Sequence, residues 1–313
     1  MSRSGNALKT MAQQNVNQRQ TSFVTNAVCK RLIALGFALA LTGCASTSTA
    51  PDNPWENRLR GDTVVLLGEI HDNPEHHRQR LNVLRRALIA GWRPAIAMEQ
   101  FDRERQADID RARSDRPYDA QHVIKLAGLS TNTRSNWQWD FYRPFVNLAL
   151  EYNLPLIAAN LSNADIRKVV REGYSAVIDT ATLHTLGLTA PLPAALLAAQ
   201  ADAVDIGHCN TLPPKMIPGM VRGQLARDAV MASITSQHAL QGVVLLAGNS
   251  HVRRDIGVPR WLSPTLQART LTVGYLERDH EAASNSAFDA VVLTAAAARS
   301  DPCIEFNKRL KPP

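Results

Sequence analysis

The chain has 313 residues, of which 45% are hydrophobic and 20% are charged, and its formal net charge is +7. This composition is typical of a globular protein, and the length allows one large domain or two modest ones. The positive charge does not indicate a nucleic-acid partner, because residues 1–43 carry five of the basic side chains and no acidic one. Removing those five charges leaves a formal charge of only +2, so we expect no nucleic-acid binding.

The N-terminal segment has the features of an export signal. Lys30 and Arg31 precede the apolar run LIALGFALALTGC, which has the length of a signal peptide and is too short to span a bilayer. Its last four residues resemble a bacterial lipobox, in which the cysteine becomes the lipid-bearing first residue after cleavage. We therefore expect residues 1–43 to be a leader and lipoprotein signal peptide and Cys44 to carry the palmitate-type anchor. A short buried helix is the alternative.

Two further features follow from export. The stretch ASTSTAPDNPWENRL is small, polar and rich in turn formers, which predicts a flexible tether over residues 44–58 before a single domain at residues 59–313. Cys209 and Cys303 are the cysteines that remain in this domain, and an even number in an exported protein predicts one disulfide. Two unrelated buried thiols are the alternative.

From Leu59 onward, aliphatic runs alternate with helical patterns, which predicts an α/β fold with a mostly parallel central sheet flanked by helices. The predicted strands are residues 63–67, 95–98, 155–159, 242–247, 271–275 and 290–293. The predicted helices are residues 74–90, 103–113, 142–152, 164–172 and a long one within 216–239. Asn73 is the predicted N-cap of the first helix, because Pro74 and Glu75 follow it. The Ala- and Leu-rich residues 180–203 predict a helical insertion on the same core.

Two predicted strands end in the same motif. VVLLGEIH and VVLLAGNSH each consist of an aliphatic run, a glycine, two residues and a histidine, which is His71 in the first motif and His251 in the second. Ligands of parallel sheets bind at the carboxyl ends of the strands, so we expect both motifs in one pocket. Other polar residues follow the predicted strands in the same way: Glu69, Glu99, Gln100, Asn160, Asn249 and Glu277.

The residue types at this edge allow two kinds of chemistry. Glu69, His71, Glu99 and His251 provide nitrogen and oxygen ligands for zinc or manganese, and they also provide a base and a carboxylate for hydrolysis. Arg227 is a candidate for holding one of the carboxylates. The alternatives are hydrogen-bonded loop histidines and a structural ion pair. No G-x-S-x-G elbow, P-loop or dinucleotide fingerprint occurs, which excludes those enzyme classes.

His76 and His77 lie in the first turn of the first predicted helix. Exposed polar residues are normal at such a position, so we expect both side chains to be exposed.

Several stretches between residues 59 and 275 together resemble the ChaN family of iron-regulated, haem-binding bacterial lipoproteins. These stretches are LLGEIHDNPEHHRQR, AIAMEQFDR, LIAANLSNADIRKV, GHCNTLPP, QLARDAVMA and LLAGNSHVRRDIGVPRWL. The wider superfamily includes Tiki and TraB-type proteins and the erythromycin esterases. The resemblance implies an α/β fold, a lipid anchor in the outer membrane facing the periplasm or the surface, and a role in haem or iron uptake.

The resemblance also implies how haem is held: at the contact of two subunits, with tyrosine as the iron ligand, and with a haem receptor or transporter as a partner. Tyr142 is our preferred ligand, because NWQWDFYRPF groups aromatic and arginine side chains that can stack on a porphyrin and pair with its propionates. An aromatic helix start packed on the core is the alternative. The predicted haem contacts are Tyr142, His71, His251 and Arg227. The alternative function is a hydrolase that depends on a divalent metal or on the His/Glu set; a binding module for a small anion or peptide is the third.

Overall fold

The computed structural model describes residues 53–128, 137–278, 285–301 and 303–304. The predicted signal peptide, Cys44 and the first part of the tether lie outside these residues. Within them, each helix is too short or too polar to cross a bilayer.

A single parallel sheet of six strands forms the centre of the described chain. The strands are β1 (Val64–Leu67), β2 (Ala95–Asp102), β3 (Leu156–Asn160), β4 (Val243–Leu246), β5 (Thr270–Glu277) and β6 (Ala290–Thr294). Their order across the sheet is β3-β2-β4-β1-β5-β6. The α/β fold and the parallel sheet are therefore as the sequence predicts.

Helices cover both faces of this sheet. They are α1 (Pro74–Ile89), α2 (Gln106–Asp115), α3 (Ala120–Val123), α4 (Trp139–Glu151), α5 (Asn163–Glu172), α6 (Thr180–Thr185), α7 (Ala194–Gly207), α8 (Ile217–Gln237), α9 (Asn249–Val252) and α10 (Pro264–Arg269). Val65 and Leu67 of β1 pack on the side of α1 and α4, whereas Val64 and Leu66 pack on the side of α8. Burial on both faces explains why β1 and β4 are uninterrupted aliphatic runs.

The helical insertion predicted at residues 180–203 corresponds to α6 and α7. Leu196 and Val204 of α7 pack against Val221 and Leu225 of α8. The insertion is therefore helical, as predicted, and it packs on α8.

The first helix begins where the sequence predicts. The Asn73 side chain accepts hydrogen bonds from the backbone N–H groups of Glu75 and His76, and Pro74 occupies the first helical position. The chain is also ordered before Leu59. Residues Pro54–Arg58, which the sequence places in the tether, form a 3-10 helix.

Side-chain contacts and a covalent bond attach both ends of the described chain. Glu56 of the N-terminal 3-10 helix accepts hydrogen bonds from Arg86 of α1 at 2.8 to 3.0 Å. Cys209 and Cys303 form a disulfide, as predicted, which joins the turn after α7 to the segment after β6.

Candidate functional site

The two G-x-x-H motifs lie side by side, because β1 and β4 are neighbours in register, with Leu67 opposite Leu246. The Asn249 N–H donates a hydrogen bond of 2.9 Å to the Glu69 carbonyl oxygen. A Cβ atom placed on Gly248 would lie 3.0 Å from Cε1 of His71. One polar pocket therefore forms at the carboxyl edge of these two strands.

Gly68 is required because a side chain crosses directly over it. Asn249 extends from the end of β4 across the end of β1 to β5, where its side-chain amide donates to the Tyr275 carbonyl oxygen at 2.6 Å and accepts from the Tyr275 N–H at 3.2 Å. A Cβ atom on Gly68 would lie 2.2 Å from Oδ1 of Asn249, which is closer than real contacts allow. Because Gly68 has no side chain, Asn249 can cross the end of β1 and connect the end of β4 to β5.

Glu69 is the buried centre of the first half of the site. Its Oε1 atom accepts hydrogen bonds from the Tyr142 hydroxyl at 2.5 Å and from Nδ1 of His71 at 2.8 Å. Its Oε2 atom forms an ion pair with Arg80, which is also completely buried. Burial lowers the pKa of Arg80 to about 10, so the guanidinium stays charged at neutral pH and balances the carboxylate.

His71 is the part of this group that solvent reaches, with 50% of its side chain exposed. Because a carboxylate only accepts, Nδ1 carries a proton, and in the neutral ring Nε2 therefore holds the lone pair. Among the described residues, none forms a hydrogen bond with Nε2. A histidine whose Nδ1–H is held by a carboxylate is a common arrangement for metal ligation and for general-base catalysis.

His76 and His77 are buried, so the expectation that they are exposed is wrong. His77 donates from Nε2 to the His71 carbonyl oxygen at 2.9 Å, and its Nδ1 accepts from Arg80 at 3.1 Å. His76 accepts from the Ile70 N–H at 3.0 Å and donates to the Thr294 hydroxyl at 2.9 Å. Burial lowers the pKa of each to about 4. Both are neutral residues that fix the loop between β1 and α1.

His251 lies between two buried carboxylates in the second half of the site. Its Nδ1 donates to Asp228 at 2.6 Å, and its Nε2 lies 3.5 Å from Oε1 of Glu99. Burial alone lowers the pKa of His251, but Glu99 and Asp228 raise it to about 10. His251 is therefore an imidazolium with no lone pair, and it cannot act as the predicted metal ligand, iron ligand or general base in this protonation state.

Glu99 connects the two halves. Its Oε2 atom accepts the Gly248 N–H at 2.8 Å, close to the His71 ring. Burial opposes ionisation of Glu99, but His251 and His71 hold its pKa well below the usual value. Glu99 and Gln100 lie inside β2, although the sequence predicts them after it, because β2 continues through an irregularity to Asp102.

Asp228 is a site residue that the sequence reasoning did not assign. It lies on the buried face of α8 with Leu225, Ala229 and Ala232, at helical spacing. A carboxylate on such a face needs a buried partner. The position of Asp228 among apolar residues at helical spacing is therefore the sequence feature that indicates a buried, partnered carboxylate.

Arg227 does not form an ion pair with a carboxylate of the site. It donates to the Asn160 side chain at 2.6 Å and to the Leu161 carbonyl oxygen at 2.7 Å, and Asn160 in turn donates to the Glu99 carbonyl oxygen at 3.0 Å. Arg227 therefore fixes the end of β3 and reaches the Glu99 backbone through Asn160.

Glu277 also has a structural partner. Arg299 binds both of its carboxylate oxygens, at 2.8 and 2.7 Å, and lies 3.2 Å from Asp72, the neighbour of His71. These bonds lower the pKa of Glu277 to about 2 against the effect of burial.

Tyr142 is completely buried, and its hydroxyl points at Glu69 and not at solvent. Burial raises its pKa. The aromatic side chains beside it pack on the site: Trp137 meets His71 edge-on at 4.8 Å, and Phe141 stacks on His77 at 4.7 Å. The structure therefore agrees with the alternative interpretation of NWQWDFYRPF, which is an aromatic helix start packed on the core.

The four predicted metal ligands are divided between two groups. Glu69 and His71 belong with Arg80 and Tyr142, while Glu99 and His251 belong with Asp228. Across residues 53–128, 137–278 and 285–301, no set of three or more His, Cys, Asp or Glu side chains is placed to hold a metal ion.

A family model described as "Haem-binding uptake, Tiki superfamily, ChaN" matches residues 55–262. The chain belongs to this ChaN family. The solved structure "Cofacial heme binding to ChaN of Campylobacter jejuni" shares 21% identity, covers 70% of this chain and 83% of its own, and has a TM-score of 0.54, which shows a common fold. An erythromycin esterase, EreC, shares 12% identity over 71% of both chains, with a TM-score of 0.42. No curated protein sequence matches this ChaN-family chain.

Proposed function

We propose that this ChaN-family protein is a lipoprotein of a bacterial outer membrane that binds haem and acts in haem or iron uptake. The family match over residues 55–262 is the observation that carries the proposal. The LTGC stretch supports Cys44 as the site of the lipid anchor, with the folded domain facing the periplasm or the surface. The cargo then reaches a haem receptor or transporter.

His71 is our proposed iron ligand. Of the predicted haem contacts, Tyr142 is completely buried, His251 has no free nitrogen and Arg227 is hydrogen-bonded to the end of β3. His71 is half exposed, and its Nε2 lone pair is available, because Glu69 holds the other nitrogen. Imidazole is a common axial ligand of haem iron, and a carboxylate behind it raises its basicity.

A tyrosine ligand would have to be a different residue from Tyr142. Of the five tyrosines, Tyr142 and Tyr275 are completely buried and Tyr118 is 83% exposed. Tyr118 therefore provides the matched comparison for His71.

The test is a titration of the purified protein with haemin, followed by the Soret absorption band. We expect a shifted band in the wild type and in Tyr118→Phe, and a loss of affinity of at least about tenfold in His71→Ala, because one axial bond is removed. His184→Ala, which changes an exposed histidine of α6, is the control. An unchanged titration in His71→Ala together with a weakened one in Tyr118→Phe would transfer the ligand role to tyrosine. No shift in the wild type would remove the haem proposal.

A homodimer around haem is part of the proposal, because the Campylobacter jejuni relative is described as binding haem cofacially. Sedimentation of the protein with and without haemin measures it. We expect the dimer only in the presence of haemin.

The alternative function, a hydrolase, is favoured by one observation: His71 combines a free Nε2 with a carboxylate on Nδ1, next to a second His–carboxylate group. In that role Nε2 takes a proton from water, and Glu69 stabilises the imidazolium that forms. Ester and peptide hydrolysis by the wild type should be lost in His71→Gln and kept in His184→Gln. Equal rates in the wild type and His71→Gln reject this function.

A further inference from the structure

We propose that the protein has a second binding site, separate from the haem site: a cavity at the edge of the sheet that takes a small organic cation with an apolar body, such as an alkylamine. The cavity has a volume of about 780 Å³ and lies between α2, α6 and α8, beside the edge strand β3. This volume is in the range of small-molecule sites. None of the residues of the pocket around His71 lines it.

Part of the lining of this cavity is apolar. It is formed by Ile157 of β3, Ile178, and Val230 and Ile234 of α8, and Ile178 and Val230 belong to one buried hydrophobic cluster. Val230 and Ile234 lie one helical turn apart on the same face of α8, so the wall is continuous. The apolar body of a ligand is removed from water on this surface.

The rim of the cavity is acidic. Four carboxylates line it against one guanidinium, Arg103; they are Glu104, Asp110, Asp165 and Asp179. Three of them have partners: Asp165 pairs with Lys168, Asp110 accepts from Gln106, and Asp179 accepts from the Thr182 N–H. Arg103 donates to the Val177 carbonyl oxygen at 2.5 Å and lies 3.7 Å from Asp165, so it is already engaged. Among the described residues, Glu104 has no hydrogen-bond or ion-pair partner.

A peptide strand does not fit this edge, because Gln106 closes it. The Gln106 side chain donates to the Leu156 carbonyl oxygen at 3.0 Å and accepts from the Ala158 N–H at 2.8 Å. An added strand would need these two backbone groups, so the Gln106 side chain blocks strand addition at this point. The remaining space fits a compact ligand with a cationic head near the rim and an apolar body inside.

The test uses hexan-1-amine, hexan-1-ol and hexanoate as probes of equal chain length, titrated into the complete protein and followed by NMR. We expect the amine to bind most tightly and hexanoate least, with shifts at Ile157, Val230 and Ile234. In Glu104→Gln, amine affinity should fall about 2- to 5-fold while alcohol affinity stays constant, as expected for loss of one exposed charge pair. Glu151→Gln, an exposed acid on α4, is the control.

Ser233→Leu provides a second variant, because residue 233 lines the cavity on α8 and a larger side chain fills it. Circular dichroism verifies its fold, and we expect it to lose binding of the amine and the alcohol alike. Equal affinity for amine and alcohol, unchanged amine affinity in Glu104→Gln, or shifts at residues outside the cavity would overturn the proposal. Haemin binding should be the same in all these variants, so this result is independent of the haem proposal.

Discussion

Glu69 and Glu99 are both buried carboxylates, but the protein neutralises them with different partners. Glu69 pairs with the buried guanidinium of Arg80, whereas Glu99 shares the imidazolium of His251 with Asp228. A buried carboxylate without a charged partner would destabilise the fold by several kcal/mol, and these partners offset that cost. His71 lies outside both pairs and is half exposed, and among the described residues its Nε2 atom has no hydrogen-bond partner.

The buried histidines predict how stability depends on pH. The pKa of His76 and of His77 is about 4 in the folded state, against 6.5 for an ordinary histidine, so the unfolded state binds more protons between these values. The contribution of these two histidines to stability should therefore be full above pH 6.5 and fall as the pH decreases toward 4, by up to about 1.4 kcal/mol per pH unit for each histidine. Urea unfolding across this range measures it.

His77→Gln should reduce that slope, and His184→Gln, in an exposed position, should not. His251 has the opposite sign, because its folded pKa is raised to about 10: its contribution is full below pH 6.5 and is lost as the pH rises toward 10. Equal slopes in His77→Gln and the wild type would contradict the assignment of neutral buried histidines.

At the scale of elements, the pocket depends on the loops that leave β1 and β4. The aliphatic runs and the glycines are visible in the sequence, and so is the N-cap at Asn73. The crossing of Asn249 over Gly68 is not visible, because it depends on β4, β1 and β5 being neighbours. The extension of β2 through Glu99 is equally hidden, since an irregular strand has no simple periodicity.

Gly68→Ala tests this crossing. The new Cβ atom would meet Oδ1 of Asn249 at 2.2 Å, so we expect a loss of about 1–3 kcal/mol in the free energy of unfolding, the range for overpacking. Gly207→Ala is the control, because nothing lies within 4 Å of its Cβ position. A stability change in Gly68→Ala as small as the control's would show that Asn249 does not cross here.

At the scale of the whole molecule, the alternation of strands and helices determines the fold class, and the even number of cysteines indicates the disulfide. The sequence does not predict which side chains the site residues contact, because those contacts depend on how the helices pack on the sheet. The aromatic neighbours of Tyr142 favour it as a haem ligand in the sequence, but in the structure those neighbours pack inward and bury it. The sequence does not indicate the partner of Asp228, because His251 is distant along the chain and meets it only after α8 packs on the sheet.

Opening the disulfide should destabilise the protein as a whole. Cys209 and Cys303 are separated by 94 residues, so the unfolded chain loses a large loop constraint when either is replaced. We expect Cys209→Ser to lose about 2–4 kcal/mol in the free energy of unfolding. Cys303→Ser should show the same loss, and the double variant should show no more. Additive losses in the double variant would indicate that the cysteines act separately.

Arg299 connects the tail after β6 to the loop that carries His71. This arginine holds Glu277 and touches Asp72, and four residues later the chain is covalently joined to the turn after α7. A reducing agent that breaks the Cys209–Cys303 bond therefore also affects the segment that Arg299 attaches beside the site. Material prepared in reducing buffer will have a loosened C-terminal tail next to the loop that carries His71, so ligand affinities measured on it will describe a different pocket entrance from the one in the oxidised protein.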